Sequence, residues 1–335
     1  MKKWLWVLTV VFLLAVLAVA FNGCGKQEDR TLVRLNEVTH SVFYAPLYAA
    51  INLGYFEEEG IELELTNGQG ADKVMTALLT GQADIGLMGP EATIYVYNQG
   101  QEDYAVNFAQ LTIRDGSFLM GREPDPDFTW DKVRGMSIIG GRKGGMPLMT
   151  LEYVLKNNGI IPGEDVEVLT HIKFALMAGA FTGGEGDYVT LFEPVATALE
   201  MEGVGYVLAS VGEDSGEIPY TVFSARKSFL AANSDIIQKF TNAIYRGQLW
   251  VAENSPEEIA RVILPAFPDA DVAVLTNVIE RYKEIDAWAT TPVFTEEAFT
   301  RLQDVMEMAG ELDKRAPYDQ LVTNEFAKKA MEQVR

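Results

Sequence analysis

Residues 33–65, VRLNEVTHSVFYAPLYAAINLGYFEEEGIELEL, commit the start of the folded chain to a strand, a helix and a second strand. Val33 to Val38 and Ile61 to Leu65 alternate apolar with polar side chains, as half-buried strands do. Ala45 to Asn52 has helical spacing and is closed by Gly54. A β-α-β unit of this kind belongs to an open α/β sheet, in which ligands gather beyond the carboxyl ends of the strands. That position holds Thr39, His40, Ser41, Phe43 and Tyr44, so a pocket is expected there.

The amino terminus follows different rules. Lys2 and Lys3 precede an apolar run from Trp4 to Phe21 that only Thr9 interrupts, and Gly23, Cys24 and Gly25 come next. Charged, apolar and small residues in that order make an export signal. The order also resembles a lipoprotein signal, with residues 1–23 removed, Cys24 lipidated and residues 24–31 as a linker. An uncleaved anchor helix is the alternative, because eighteen apolar residues nearly span a bilayer. Both place the folded part outside the cytoplasmic membrane. Cys24 is the only cysteine, so disulfides and thiolate chemistry are excluded from the folded part. Losing Lys2 and Lys3 takes the formal charge from −21 to −23, and a surface so acidic repels nucleic-acid phosphates.

Along the rest of the chain the pattern predicts two α/β lobes, with lobe 1 over 32–117, lobe 2 over 118–220, and 221–335 returning to lobe 1 as a strand and helices. Two halves share a rhythm. Gly81-Gln-Ala-Asp84 leads through a short apolar strand to Gly89-Pro90-Glu91, and Gly183 to Asp187 leads through another to Phe192-Glu193-Pro194. Such loops suit opposite walls of one cleft. Ser117 to Met120 reads as a strand leaving the first lobe and Tyr220 to Ala225 as one crossing back. Asp235 to Glu253, Pro256 to Leu264, Asp271 to Trp288, Thr295 to Ala309 and Thr323 to Val334 read as helices.

Gly140 to Met146 follows a strand and precedes a helix, which presents backbone N–H groups to an anion or polar ligand, with Arg142 or Lys143 adding charge. It has neither the Lys-Ser/Thr ending of a P-loop nor dinucleotide spacing. His40 and His171 are the only histidines, and no His-x-x-x-His or carboxylate spacing joins them as metal ligands. No G-x-S-x-G elbow is present for a serine hydrolase. Among aromatics near the predicted rim, Tyr44, Tyr188 and Phe192 are the candidates to hold a flat ligand.

Tyr44-Ala-Pro46 with Gly54-Tyr-Phe-Glu-Glu-Glu-Gly60, Gly81-Gln-Ala-Asp-Ile-Gly86, Gly144-Gly-Met-Pro147 and Phe192-Glu-Pro194 occur here in one order. That order resembles the solute-binding proteins of ABC importers, in the NMT1/THI5-like group of taurine, alkanesulfonate and thiamine-pyrimidine binders. The resemblance runs from about Val33 to Ala330. It implies a two-lobed periplasmic-binding-protein-like fold of type II, with two crossover strands and the ligand cleft between the lobes. It also implies a monomer with permease and ATPase partners and no cofactor. Carried over, it nominates Thr39, His40, Ser41, Tyr44, Gly89, Pro90 and Glu91 from lobe 1, and Arg142, Gly144, Gly145, Met146, Asp187, Tyr188 and Glu193 from lobe 2. One branch of the superfamily, yeast pyrimidine synthase, consumes a histidine of its own and needs a cysteine-rich motif with iron. His40 is similar to that histidine, but the cysteine motif is missing. The expected ligand is a small organic solute of pyrimidine or thiamine-precursor type, since Glu91, Asp187 and Glu193 would accept hydrogen bonds from ring amino groups. A sulfonate or nitrate binder is the alternative within the group, and an extracytoplasmic enzyme using His40 the alternative outside it.

Overall fold

The computed structural model describes residues 30–334. The signal segment and Cys24 lie outside the described residues. Strand β1 (Thr31–Glu37) turns Val33, Leu35 and Glu37 to the interior and pairs in parallel with β2 (Ile61–Asn67). The helix Ala45–Asn52 crosses between them and carries Pro46 in its first turn, where a missing N–H costs nothing. On the other side of β1 lies β3 (Ile85–Met88), buried along its whole length as a strand covered on both faces must be. β4 (Ala105–Thr112) follows, equally buried.

The chain then leaves this lobe through residues 113–116. A second sheet begins with β5 (Ser117–Gly121) and adds β6 (Ser137–Ile139), β7 (Glu167–Leu169), β8 (Tyr188–Phe192) and β9 (Tyr206–Ser210), in the order β7-β6-β8-β5-β9. Residues 216–220 carry the chain back. β10 (Thr221–Arg226) inserts antiparallel between β3 and β4 and completes a first sheet ordered β2-β1-β3-β10-β4. The two crossing segments are tied side by side. Ile218 donates its amide to the Ile113 carbonyl at 2.8 Å, and the Thr112 and Thr221 hydroxyls meet at 2.6 Å. This is the expected two-lobed architecture, with both crossings in one place.

The larger core belongs to the first lobe. Phe56, Phe108, Phe223 and Phe240 pack edge to face or tilted between its sheet and the helix Ser234–Glu253. Gly247 lets that helix press on Ala45–Asn52, because a Cβ there would sit 2.2 Å from the Pro46 carbonyl oxygen. Pro256–Ile263 starts with a full capping box between Ser255 and Glu258. The helix expected to reach Trp288 ends at Glu284, because Asp286 adopts φ +50° and breaks the run. Trp288 instead bridges to Thr112 and donates its indole N–H to the Phe43 carbonyl at 2.8 Å. The second lobe has two smaller apolar clusters, one on each side of its sheet, centred on Trp130 and Leu151 and on Phe181 and Val189. Among the described residues no helix is long and apolar enough to cross a membrane.

Candidate functional site

The lobes meet along the carboxyl ends of β1, β3 and β8. Ser41 caps the short turn Val42–Tyr44 by accepting from the Phe43 amide, and donates its hydroxyl across the gap to the Glu193 carbonyl at 3.2 Å. Tyr95 reaches from lobe 1 to the Gly144 carbonyl at 3.2 Å, and Arg142 from lobe 2 to Asp72 at 3.1 Å. Arg281, on the helix Val272–Glu284, binds Glu193 at 2.5 Å and Glu200 at 2.8 Å. The Tyr282 hydroxyl accepts from the Glu193 amide and donates to the Gly116 carbonyl. The lobes are therefore shut on each other.

Inside this closed face several polar atoms have no protein partner. Glu91 Oε2, Asp115 Oδ2, Ser117 Oγ and the Tyr220 hydroxyl are buried and make no close, well-directed hydrogen bond, although the Ser117, Tyr220 and Thr150 hydroxyls stand around the Asp115 carboxyl and ease its burial. A native structure satisfies nearly all its buried polar atoms, so several orphans at one rim, out of nine among the described residues, make that rim a candidate for contact with a ligand. Glu91 is 4% exposed and Asp115 wholly buried. Burial pushes the Glu91 carboxyl up to about 7, opposed by its own and the Ala92 amides and by the charge of Arg142. Burial likewise pushes Asp115 up to about 7, although Ser117, Tyr220 and Thr150 offset part of the cost. Desolvation therefore dominates both. Tyr220 is raised well above the usual phenol value by burial first, then by Asp115, with Tyr44 and Glu91 adding to it. Glu91 follows β3 and Asp115 follows β4, and since both strands run antiparallel to the β10 that lies between them, their carboxyl ends open on the same rim of the sheet. Tyr44, also fully buried, is raised by burial, then by Glu37 and Glu91. Phe43 and Phe192 stand 5.8 Å apart, and Phe192 lies 6.1 Å from Tyr220.

The residues nominated from sequence divide sharply. Ser41, Tyr44, Glu91, Gly144, Gly145 and Met146 lie where the lobes meet. Gly89 and Pro90 support Glu91, whose carboxylate folds back so closely that a Cβ on Gly89 would sit 2.0 Å from Oε2. Thr39 is half-buried at the end of β1. His40 is a wall residue. Its Nδ1 lies 2.8 Å from Glu37 and 3.0 Å from the Tyr48 hydroxyl, its Nε2 2.8 Å from the Ala266 carbonyl, and its ring packs on Phe267. Arg142 is exposed and spent on Asp72. Glu193 is buried but committed to Arg281 and to Thr197, so it joins the lobes and offers no free acceptor.

Asp187 and Tyr188, nominated with them, are not brought to the place where the lobes meet. Asp187 precedes β8 and Tyr188 begins it, whereas the lobe interface lies at its end beside Phe192, four residues and roughly 13 Å from Tyr188. Asp187 caps Ser137 through its amide and hydroxyl, and Tyr188 packs on Phe128. A groove of about 770 Å³ opens at this far edge of lobe 2, lined by Met136, Ser137, Lys143, Glu152, Glu167 and Asp187 among others. Asp115, Ser117 and Tyr220 were missed. They sit at the two crossings between lobes, where short polar breaks interrupt apolar strands, and that break was the available signal. Among the described residues no three His, Cys, Asp or Glu side chains are grouped to hold a metal ion.

A family model described as the NMT1-like family matches residues 37–264. The chain belongs to the NMT1-like family. This NMT1-like chain is 46% identical over 313 residues to YtlA of Bacillus subtilis (strain 168), which carries the name of a binding protein, with 93% of this chain and 94% of that one aligned. Its fold matches the ligand-binding component of an ABC-type import system from Staphylococcus aureus, solved with zinc bound. The TM-score is 0.72 at 17% identity, covering 90% of this chain and 99% of that one. The alkanesulfonate-binding protein SsuA from Xanthomonas axonopodis pv. citri, bound to MOPS, gives a TM-score of 0.71 at 16% identity over 88% of this chain and 99% of that one. The NMT1-like chain thus has the two-lobed type II periplasmic-binding-protein fold.

Proposed function

We propose that this protein is the solute-binding component of an ABC importer, tethered outside the cytoplasmic membrane through lipidated Cys24. It closes its lobes on one small organic solute and hands it to the permease. The observation that carries this reading is the group of unpaired buried polar atoms on Glu91, Asp115, Ser117 and Tyr220, enclosed where two lobes of a binding-protein fold meet. The name borne by YtlA and the import-system neighbour support it.

A flat, amino-bearing solute of the pyrimidine type suits the site best. Glu91 and Asp115 supply acceptors for ring amino groups, and Phe43, Tyr44, Phe192 and Tyr220 supply aromatic surface. A sulfonate or nitrate would face two carboxylates. Turnover through His40 is disfavoured because both its ring nitrogens are already engaged.

The test is a thermal-shift screen of the chain against pyrimidines, flavins, sulfonates and nitrate. A true ligand at 100 times its dissociation constant stabilises by about 2.7 kcal/mol. Glu91→Ala should abolish that shift and Tyr188→Ala should leave it intact. The opposite pattern would move the site to the far edge of lobe 2.

A further inference from the structure

The charge balance of the closed interface goes further than the reading above and rests on it. Two carboxylates lie in the same buried face, one on the helix Glu91–Asn98 of lobe 1 and one on the segment that joins the lobes. Each keeps an oxygen without a well-directed partner, and the hydroxyls around that of Asp115 bring no positive charge. The cations around them are otherwise occupied or unpaired with them. Arg142 is exposed and bound to Asp72, and Arg281 holds Glu193 and Glu200. Arg114 keeps its Nε buried and unpaired, yet among the described residues it makes no ion pair with Asp115 or any other carboxylate. The hydroxyls beside the pair, those of Tyr44, Tyr95, Thr150, Ser117, Tyr220 and Tyr282, carry no positive charge, and apart from Arg142 the further ionisable groups beside them are the acids Glu37, Glu193 and Glu311.

Removing a carboxylate from water without a compensating charge is expensive, and a closed site that does so twice is built against being shut empty. A hydroxyl or amide ligand would satisfy the orphan oxygens as hydrogen-bond acceptors, but wherever the carboxyls are ionised it would leave their charge unmet. A positively charged group between the two would supply both. We propose that the solute is bound as a cation, its positive nitrogen held between Glu91 and Asp115, with Ser117 Oγ and the Tyr220 hydroxyl directed at the remainder of its polar edge. Asp115 is the residue that reads this charge at the crossing between lobes. A ligand lacking the charge can enter the open cleft but gains less from closure.

The experiment uses the full chain in detergent at pH 7, where an aminomethyl group is a cation on either ring, and two matched sets of probes. The first set places aminomethyl, hydroxymethyl and sulfomethyl groups on one pyrimidine ring, giving a cation, a neutral and an anion of similar shape. The second places the same three groups on a cyclohexane ring. Calorimetric titration should show the pyrimidine ammonium binding at least tenfold more tightly than its hydroxymethyl counterpart, and the sulfomethyl compound not at all. Glu91→Gln and Asp115→Asn should each shrink the cation preference by tenfold or more while keeping the weaker affinity for the neutral compound. A merely structural role would weaken all probes together. Equal affinity for cation and neutral, or tighter binding of the sulfonate through Arg114, overturns the charge inference and leaves the pyrimidine reading standing. Binding of the cyclohexyl ammonium alone overturns the pyrimidine reading and upholds the charge inference. Binding of none of the six overturns both.

Discussion

If Glu91 and Asp115 are dry only when the lobes are shut, pH should govern how often the unliganded protein closes. Burial sets the closed-state value of each carboxyl at about 7, against 4.5 for an ordinary glutamate and 3.8 for an aspartate. Opening the lobes returns water to both. The sign is the reverse of a salt-bridged acid. Each group takes up a proton on closing, so closure is easiest below about pH 4, becomes harder as pH rises towards 7, and is insensitive to pH above that. Between pH 5.5 and 8.5 each carboxyl should add about 2 kcal/mol against closure, or about 4 kcal/mol for the pair, close to a thousandfold in the closing constant. The Arg142 charge, which lowers Glu91, is already contained in the value for that group.

The absence of any cysteine beyond Cys24 makes this measurable. In a Cys24→Ser background, cysteines introduced at exposed Lys73 and Lys173 take a donor and an acceptor dye, one on each lobe. Transfer efficiency of the unliganded protein should fall as pH rises from 5.5 to 8.5. Glu91→Gln or Asp115→Asn should each remove about half of the slope, and the double variant nearly all of it. A closed fraction that ignores pH, or a slope that survives in the double variant, would refute the claim that these carboxylates oppose closure.

Other outcomes follow from single contacts. Arg281→Ala strips the wholly buried Glu193 of its cation and should cost about 3 kcal/mol or more in urea unfolding; an unchanged midpoint would show that the Glu193–Arg281–Glu200 group adds nothing. Gly247→Ala drives a methyl against the Pro46 carbonyl, backbone against backbone, and should cost at least about 1–3 kcal/mol by the same measurement. His40 is raised above 6.5 chiefly by its hydrogen bond to Glu37, so its contribution is full below 6.5 and lost as pH passes the raised value; ring titration by NMR should move downward in Glu37→Gln. Cys24→Ser should leave the protein in the soluble fraction or as unprocessed precursor, and membrane retention of a processed form would count against lipidation.

The parts of this molecule that repeat in sequence were the legible ones. Val33 to Leu65 announced a strand, a helix and a strand because periods of 2 and 3.6 leave marks within a few residues, and the structure has them as Thr31–Glu37, Ala45–Asn52 and Ile61–Asn67. Gly89-Pro90-Glu91 was legible for the same reason, since a proline and an acid opening a helix place the carboxylate at a strand's end. Asp187 and Tyr188 lie away from the meeting of the lobes; the sequence nominates them because a glycine-rich turn ending in Asp looks alike at either end of a strand. Here the turn precedes β8, and only the Phe192 end faces lobe 1.

Asp115 and Tyr220 could not be found that way, because nothing local relates them. They stand 105 positions apart, and what joins them is the pairing of two crossings, sealed by Ile218 on Ile113 and Thr221 on Thr112. A crossing strand must bend when the lobes move, so it is an unfavourable place to bury a charge, and an apolar residue would have kept it at lower cost. The position of Asp115 therefore argues for use in the closing motion itself. A carboxylate on a remote wall would sense the ligand and leave the lobes uninformed, whereas one on the connecting segment, if the rotation that opens the site also wets it, gains and loses water with that rotation. Ligand charge and lobe angle are then one equilibrium, and a solute that neutralises Asp115 shifts it by the free energy that the empty site lacks.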